Sequence, residues 1–329
     1  MKRILMFLMV LVTALSLVAC GEEDMATYKN AVNKTNEIMR GQSSYEITVN
    51  QEFNIDGLTP EEIKDINYFK KMVLESRSQF NSDKKKVIAH NYSNFGGMGF
   101  DTDFYMNNDE VFMKMPIIGK YMNLQGLLKK EDDEANEQII SQDTIQKIKD
   151  NWIGILNEED VVSGEKSLLS TEEGEVKATL FSISLTDKQI KKLVNNTIND
   201  LLDDNNLTRM MEKFVNYEEK SISLDEIVNK IRESISSSNI TDFKYQVYID
   251  IDGYIVQSNM TMEIEYPDAE IGEIKSQEIN MITNVWDIEE EQSFNFPSLT
   301  EDNTLQQSEI NQGIPFMFED IFKDEKGGK

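Results

Sequence analysis

The sequence contains a single cysteine and a single histidine among its 329 residues. With only Cys20, the chain has no disulfide framework and no metal site built on several thiolates. With only His90, a zinc site assembled from histidines and cysteines is excluded as well. Disulfide-stapled domains and structural zinc proteins are therefore removed from the candidate classes.

Basic residues are also scarce, since 33 lysines and arginines stand against 60 aspartates and glutamates, for a formal net charge of −27. Nucleic acid binding requires a basic surface that neutralises phosphates, so this balance argues against it. The same negative charge opposes docking on anionic lipid headgroups. We therefore expect no nucleic acid partner and no direct electrostatic contact with a membrane surface.

The one long apolar run, residues 4–17, follows Lys2 and Arg3 and ends shortly before the small residue Ala19. This order is typical of a secretory signal. The run is shorter than the roughly 20 residues that a membrane-spanning helix needs. Acidic residues occupy positions 22–24, where a retained helix would be followed by a positive cluster. An uncleaved transmembrane helix is therefore the less favoured alternative.

The tetrad Leu17-Val18-Ala19-Cys20 resembles a lipobox, at which bacteria diacylate a cysteine thiol and cleave the chain just before it. The resemblance implies a lipoprotein signal peptide at 1–19, a diacylglyceryl anchor with palmitate-type chains on Cys20, and a short tether at 20–25. It also implies a location on the extracytoplasmic face of the cell membrane. Cleavage before Cys20 would remove Lys2 and Arg3 and would change the formal net charge from −27 to −29. Two acyl chains are sufficient for stable anchoring.

Apolar periodicity divides the rest of the chain into helices and strands. Helical spacing marks 26–40, 145–155, 190–202 and 224–235, and the last two segments follow the capping boxes Thr186/Gln189 and Ser223/Glu226. Strand patterns mark 45–55, 73–80, 87–95, 100–106, 111–115, 161–169, 176–185, 243–251, 254–266 and 279–286. Residues 60–71 are ambiguous and fit a short helical insertion.

The clearest strand pattern is 243–251, where apolar residues alternate over nine positions before the hairpin turn Asp252-Gly253. The element order is helix, strands, helices, strands. This order predicts an antiparallel α+β protein and not an alternating βαβ protein.

A lipobox, a first helix and then a strand meander resemble the Gram-positive type of lipoprotein that belongs to the LolA, LprG, LppX and RseB superfamily. The resemblance implies an antiparallel open half-barrel sheet with helices packed on its concave face over residues 26–297. An acidic tail at 298–329 would follow, with an apolar patch at 314–322. No residue motif of that superfamily is present to carry a functional residue across. This chain also has additional helical segments between 144 and 235.

Several members of that superfamily bind acyl chains between sheet and helices, so the resemblance implies a non-enzymatic lipoprotein that holds a lipid or another hydrophobic ligand. The expected lining consists of apolar positions of the last hairpin and of the 190–202 stripe: Val247, Ile249, Met260, Met262, Ile264, Leu193, Val194 and Ile198. The same residues fit an ordinary packed core.

Two other functions remain open. A cell-envelope sensor or interaction module would use its acidic surface, or the 314–322 patch, to contact an envelope protein. A solute-binding protein would fit the anchor and the length, but it predicts βαβ units that the pattern lacks.

Catalytic and metal-binding patterns are weak. His90 lies in a strand pattern without a nucleophile elbow of the Gly-x-Ser-x-Gly type. Residues 250–253 begin like a calcium-binding loop, but flanking strands favour a hairpin turn. The pairs Met113/Met115 and Met260/Met262 suit copper, yet a spacing of two also describes one face of a strand. We therefore expect no enzyme activity, no cofactor and no metal.

Replacing Cys20 with serine tests the anchor. We expect Cys20→Ser to abolish incorporation of labelled palmitate, because no other thiol is present. The chain should appear either outside the membrane fraction or as the unprocessed precursor. Palmitate labelling of the variant at the native level would contradict the lipoprotein interpretation.

Overall fold

The structure, a computed structural model, describes residues 22–108, 110–116, 118–124, 141–171, 174–208 and 223–305. The predicted signal peptide at 1–19, the predicted lipidation site Cys20 and the predicted apolar patch at 314–322 lie outside these residues. Within the described segments, no helix combines the length and the apolar character needed to cross a membrane.

Eleven strands form one sheet in which every pair of neighbours is antiparallel. The strands are β1 Arg40–Phe53, β2 Lys71–Asn81, β3 Lys86–Phe95, β4 Met98–Asn107, β5 Glu110–Lys114, β6 Tyr121–Asn123, β7 Val161–Thr171, β8 Gly174–Ile183, β9 Asn239–Asp250, β10 Ile255–Glu265 and β11 Ile274–Trp286. Their order in the sheet is β6-β5-β4-β3-β2-β1-β11-β10-β9-β8-β7. The first six strands therefore run in order from the central strand β1 to the edge strand β6. The chain then crosses to the opposite edge at β7, and the remaining strands run in order back to β11 beside β1.

The longer described helices are α1 at 22–36, α2 Pro60–Asn67, α3 Gln142–Ile155, α4 Asp187–Leu202 and α5 Leu224–Ser237, beside a 3-10 turn at Glu158–Asp160 and helical residues 205–208. The two predicted capping boxes, at Thr186 and Ser223, are confirmed, and Thr59 forms a third at the start of α2. Each cap supplies an acceptor for a helix-terminal N–H group that would otherwise lack one. The antiparallel α+β class and the other predicted helix and strand segments are confirmed, with ends shifted by a few residues. The first helix, predicted at 26–40, instead spans 22–36, because the chain at Arg40 already pairs as strand β1.

Two parts of the sequence interpretation are corrected. Residues 22–25 of the predicted tether are helical, and Met25 is only 5% exposed. The reason is that Met25, Tyr28 and Ala31 are spaced at three residues, so that they form one buried stripe on α1. Strand β6 was not predicted, since three residues are too few to show an alternation.

The main core lies between the helices and one face of strands β7 to β10. Tyr28 of α1, Ile155 of α3 and Ile190 of α4 pack in one cluster with Val247 of β9, which is fully buried. Because side chains alternate along a strand, one face of β9 carries Phe243, Tyr245, Val247 and Ile249 toward the helices.

A second, smaller core lies on the opposite face, over β3, β4 and β5. Ile88, Tyr105 and Phe112 are neighbours in register across these three strands. The Tyr105 and Phe112 rings stack with centroids 5.2 Å apart. Phe294 and Phe296, from the chain after β11, pack onto this cluster.

Residues 287–305, which we call the strap, cross this face from the centre of the sheet to edge strand β6. At its start, Arg40 pairs with Glu291 at 3.0 Å. At its end, the Leu305 N–H donates to the Tyr121 carbonyl oxygen at 2.8 Å. The predicted tail therefore begins, at 298–305, as a segment held against the sheet.

Substitution of both strap phenylalanines by alanine tests whether the strap completes the second core. We expect Phe294→Ala with Phe296→Ala to lower the free energy of unfolding by about 3 kcal/mol, because two half-buried rings are lost. Urea denaturation would measure the change. Phe69→Ala is the matched control, since this phenylalanine is 39% exposed. Equal effects of the two changes would contradict a structural role for the strap.

Candidate functional site

A half-open cleft of about 520 Å³ lies between the helices and the sheet on the face of the main core. Strands β9, β10 and β11 form its floor, and helices α1, α3 and α4 form its roof. The described lining residues are Tyr28, Val32, Thr35 and Asn36 from α1, Ile148, Lys149 and Trp152 from α3, Leu185, Ile190, Leu193 and Val194 from α4 and the segment before it, Phe243 and Tyr245 from β9, Ile255, Gln257, Ser258, Met260 and Met262 from β10, and Met281, Thr283 and Val285 from β11.

The floor is apolar because three neighbouring strands present alternate residues to the same side. Tyr245 of β9 is the register partner of Met260 in β10, and Met260 is the partner of Met281 in β11. Side chains of directly paired residues on one face are close neighbours. Met262 follows Met260 on the same face, so three methionines lie together on the floor.

Helix α1 is fixed across the floor at both ends. Near its start, the Ser163 N–H donates to Asp24 Oδ2 at 2.9 Å. Near its end, the Ile255 N–H donates to Thr35 Oγ1 at 2.8 Å. These bonds join α1 to β7 and to β10, which holds this part of the roof in place.

A buried carboxylate joins α3 to the chain after α4. Asp204 accepts hydrogen bonds from the Ser141 N–H at 2.8 Å and from the Leu207 N–H at 3.2 Å. Burial raises the pKa of Asp204, but these bonds and those from Ser141 and Thr144 side chains outweigh burial and hold the pKa well below its ordinary value. The carboxylate is therefore ionised at neutral pH, and it fixes the start of α3 relative to α4.

The inner wall of the cleft is a group of three aromatic residues. Trp152 Nε1 donates a hydrogen bond to the Tyr28 hydroxyl at 2.8 Å. The Trp152 and Tyr245 rings meet edge to face at 5.4 Å between centroids. Burial raises the pKa of both tyrosines well above the ordinary value, so both phenols are neutral at physiological pH.

Charge is nearly absent from the cleft. Among its described lining residues, Lys149 on α3 is the one charged side chain. The remaining polar groups are hydroxyls and amides. Such a surface suits an apolar guest and offers no carboxylate, among the residues described there, for acid or base chemistry.

The predicted lining residues separate into three groups. Met260, Met262, Leu193 and Val194 line the cleft. Val247 and Ile249 are 0% and 5% exposed and belong to the closed core beneath it. Ile198, farther along α4, and Ile264 are outside the described lining. Ile264 instead faces a separate polar depression at the other end of β10.

Several lining residues were not predicted as such, although the sequence marks them as apolar. Tyr28 and Trp152 lie on predicted helical stripes, and Met281 lies on a predicted strand. Their meeting depends on contacts between segments more than 100 residues apart, such as the Trp152–Tyr28 bond. Periodicity within one element carries no signal of such a contact.

The other candidate groups remain outside the cleft. His90 is 63% exposed, and its Nδ1 lies 2.7 Å from Asp103 Oδ1 on the sheet face opposite the helices. The predicted hairpin at 250–253 is confirmed, with Gly253 at a φ of 87°. Over the described segments, no group of three or more histidine, cysteine or acidic side chains could hold a metal ion.

No family model matches this chain, and no curated protein matches its sequence. Among solved structures, a match is the crystal structure of a beta-barrel-like protein of the domain of unknown function DUF1849 from Brucella abortus. It covers 76% of this chain and 99% of that chain at 9% identity, with a TM-score of 0.17. A likeness at this TM-score supports no inference about fold or function.

Removal of the Tyr28 hydroxyl tests the inner wall. We expect Tyr28→Phe to lower the free energy of unfolding by about 1–3 kcal/mol, because the Trp152 N–H loses its acceptor. Urea denaturation followed by tryptophan fluorescence would measure this. Tyr248→Phe, on the opposite face of β9, is the control and should change stability by less than about 0.5 kcal/mol. Two equally small effects would show that the Tyr28–Trp152 bond does not hold the wall.

Proposed function

We propose that this chain is a lipoprotein anchored through Cys20 on the extracytoplasmic face of the cell membrane, and that its cleft holds a lipid or another hydrophobic ligand. The function is binding without catalysis. In this proposal the open sheet is a half-barrel of the LolA-like kind, with its helices on the concave side.

The observation that carries the proposal is the cleft itself. Its volume of about 520 Å³ falls within the range of ligand pockets, and its surface is mostly aliphatic, aromatic and thioether. Its floor methionines are flexible and polarisable, so they adapt to guests of varied shape. Depressions of similar volume elsewhere on the described surface, such as the one lined by Ile264 and Glu265, have mixed polar linings, so the apolar surface and not the volume distinguishes this cleft.

The anchor and the cleft lie close together along the chain. Helix α1, which forms part of the roof, is described from residue 22, two positions after Cys20. A lipid anchor at Cys20 would therefore hold the roof of the cleft near the bilayer. A ligand drawn from the membrane would have a short distance to travel.

Blocking the floor of the cleft tests the binding function. The probe is a long-chain alcohol that carries a photoactivatable diazirine, added to the full chain in neutral detergent. We expect labelling of peptides from β10, β11 and α4, and at least a fivefold decrease in Met281→Trp, because the larger, rigid indole occupies the centre of the floor where the guest would lie. Peptide mass spectrometry would locate and quantify the label.

Met72→Trp is the matched control for this experiment. Met72 lies on the same face of the sheet, two strands from Met281, and is not among the described lining residues. The cleft of the Met72→Trp variant should be labelled by the probe to the same extent as the native cleft. Labelling that is unchanged in Met281→Trp, or spread evenly over the surface, would contradict a binding cleft.

A cell-envelope interaction module is the second candidate, and one observation favours it. Edge strand β7 exposes Val162 and Leu168 at 56% and 61%. Edge strands with exposed apolar residues are suited to pairing with another chain. Since this edge is remote in the sheet order from β11, binding there would be insensitive to Met281→Trp.

A further inference from the structure

Lys149 is half-buried on α3 and is the one charged residue among the described residues of the cleft lining. Its neighbours on the helices are paired: Lys147 contacts Asp143 at 2.8 Å, and Lys191 contacts Asp187 at 3.1 Å. No carboxylate among the described residues pairs with the Lys149 ammonium group.

A carboxylate bound beside this ammonium group would form a charge-assisted hydrogen bond with it. Lysine stems are apolar and can pack along an apolar wall while the charged end stays in contact with water. Lys149 therefore offers one positive charge beside an otherwise neutral cleft. An apolar guest that carries one negative charge would match both features.

The volume of the cleft limits the size of the guest. We take roughly 30 Å³ as the volume of one methylene group, which is close to the volume that one water molecule occupies in the liquid. At that size, the cleft of about 520 Å³ accommodates one chain of roughly 17 carbons. A diacyl lipid would require about twice that volume. The cleft thus encloses one acyl chain, and because it is half-open the second chain of a diacyl lipid would lie outside it.

We propose that the ligand is a long-chain fatty acid, with its carboxylate on Lys149 and its chain along Met260, Met262 and Met281. This inference rests on the proposed binding function. A carboxylate carries one charge, which equals the charge of Lys149, whereas a phosphate monoester carries about −1.5 to −2 at neutral pH. A phosphodiester lipid such as phosphatidylglycerol also carries one charge, but it brings a second acyl chain that the cleft does not enclose. The flexible methionine side chains would also accommodate a bent, unsaturated chain.

Competition against the diazirine alcohol tests the inference on the full chain in neutral detergent. The competitors are palmitic acid, its methyl ester and dipalmitoyl phosphatidylglycerol. We expect the acid to displace the probe at about tenfold lower concentration than the ester, since a charge-assisted hydrogen bond is worth roughly 1.5–3 kcal/mol. The phosphatidylglycerol should displace it poorly.

Three variants assign the preference to Lys149. In Lys149→Met, the acid and the ester should displace the probe at about the same concentration. Because ester binding is retained, this result also shows that the variant is folded. Lys149→Arg should keep the preference. Lys147→Met, on the same helix but outside the described lining, should behave like the native chain.

The outcomes separate this inference from the proposed function. If the native cleft is not labelled at all, both fail. If it is labelled but the acid and the ester compete equally, or if Lys149→Met keeps the preference, only the fatty acid assignment is overturned. Displacement by phosphatidylglycerol as efficient as by the acid would overturn the single-chain limit.

Discussion

The antiparallel pairing of β1 with β11 is the contact on which the whole sheet depends. It runs from Gln42–Trp286 to Phe53–Ile274 and joins strands more than 220 residues apart. One side of this junction is the outward meander β1 to β6, and the other is the returning meander β7 to β11. Because β11 also pairs with β10, the same junction positions the methionine floor next to the helices. Without it, the chain would consist of two separate sheets with exposed edges at the centre.

The two halves of the sheet are covered in different ways. Helices cover one face of β7 to β10, whereas the strap covers the opposite face of β3 to β5. The helices are held by backbone N–H groups that donate hydrogen bonds to Asp24, Thr35 and Asp204, which fix the roof at its ends and leave the cleft open between them. A rigid roof over a flexible methionine floor is an arrangement that keeps a cavity available without closing it.

The sequence predicts the elements well and their contacts poorly, for physical reasons. Alternation over 243–251 and the capping box at Thr186 are local patterns, so strands and helices could be assigned from them. The Trp152–Tyr28 hydrogen bond and the position of the strap depend on which distant segments meet. The strap also has no periodic apolar pattern from which its packing on the sheet could be predicted. Of the eight predicted lining residues, four line the cleft, because periodicity identifies the apolar face of an element but not which residues of that face the helices cover completely and which they leave open.

The central claim is that the cleft of the anchored chain holds one single-chain amphiphile. Native mass spectrometry of the full chain, released from its own membrane in neutral detergent, tests this most directly. The account predicts one non-covalent ligand per chain, with the mass of a long-chain fatty acid, which is lost on Met281→Trp. A chain that carries only its covalent lipid, or a diacyl lipid in the same position, would contradict it.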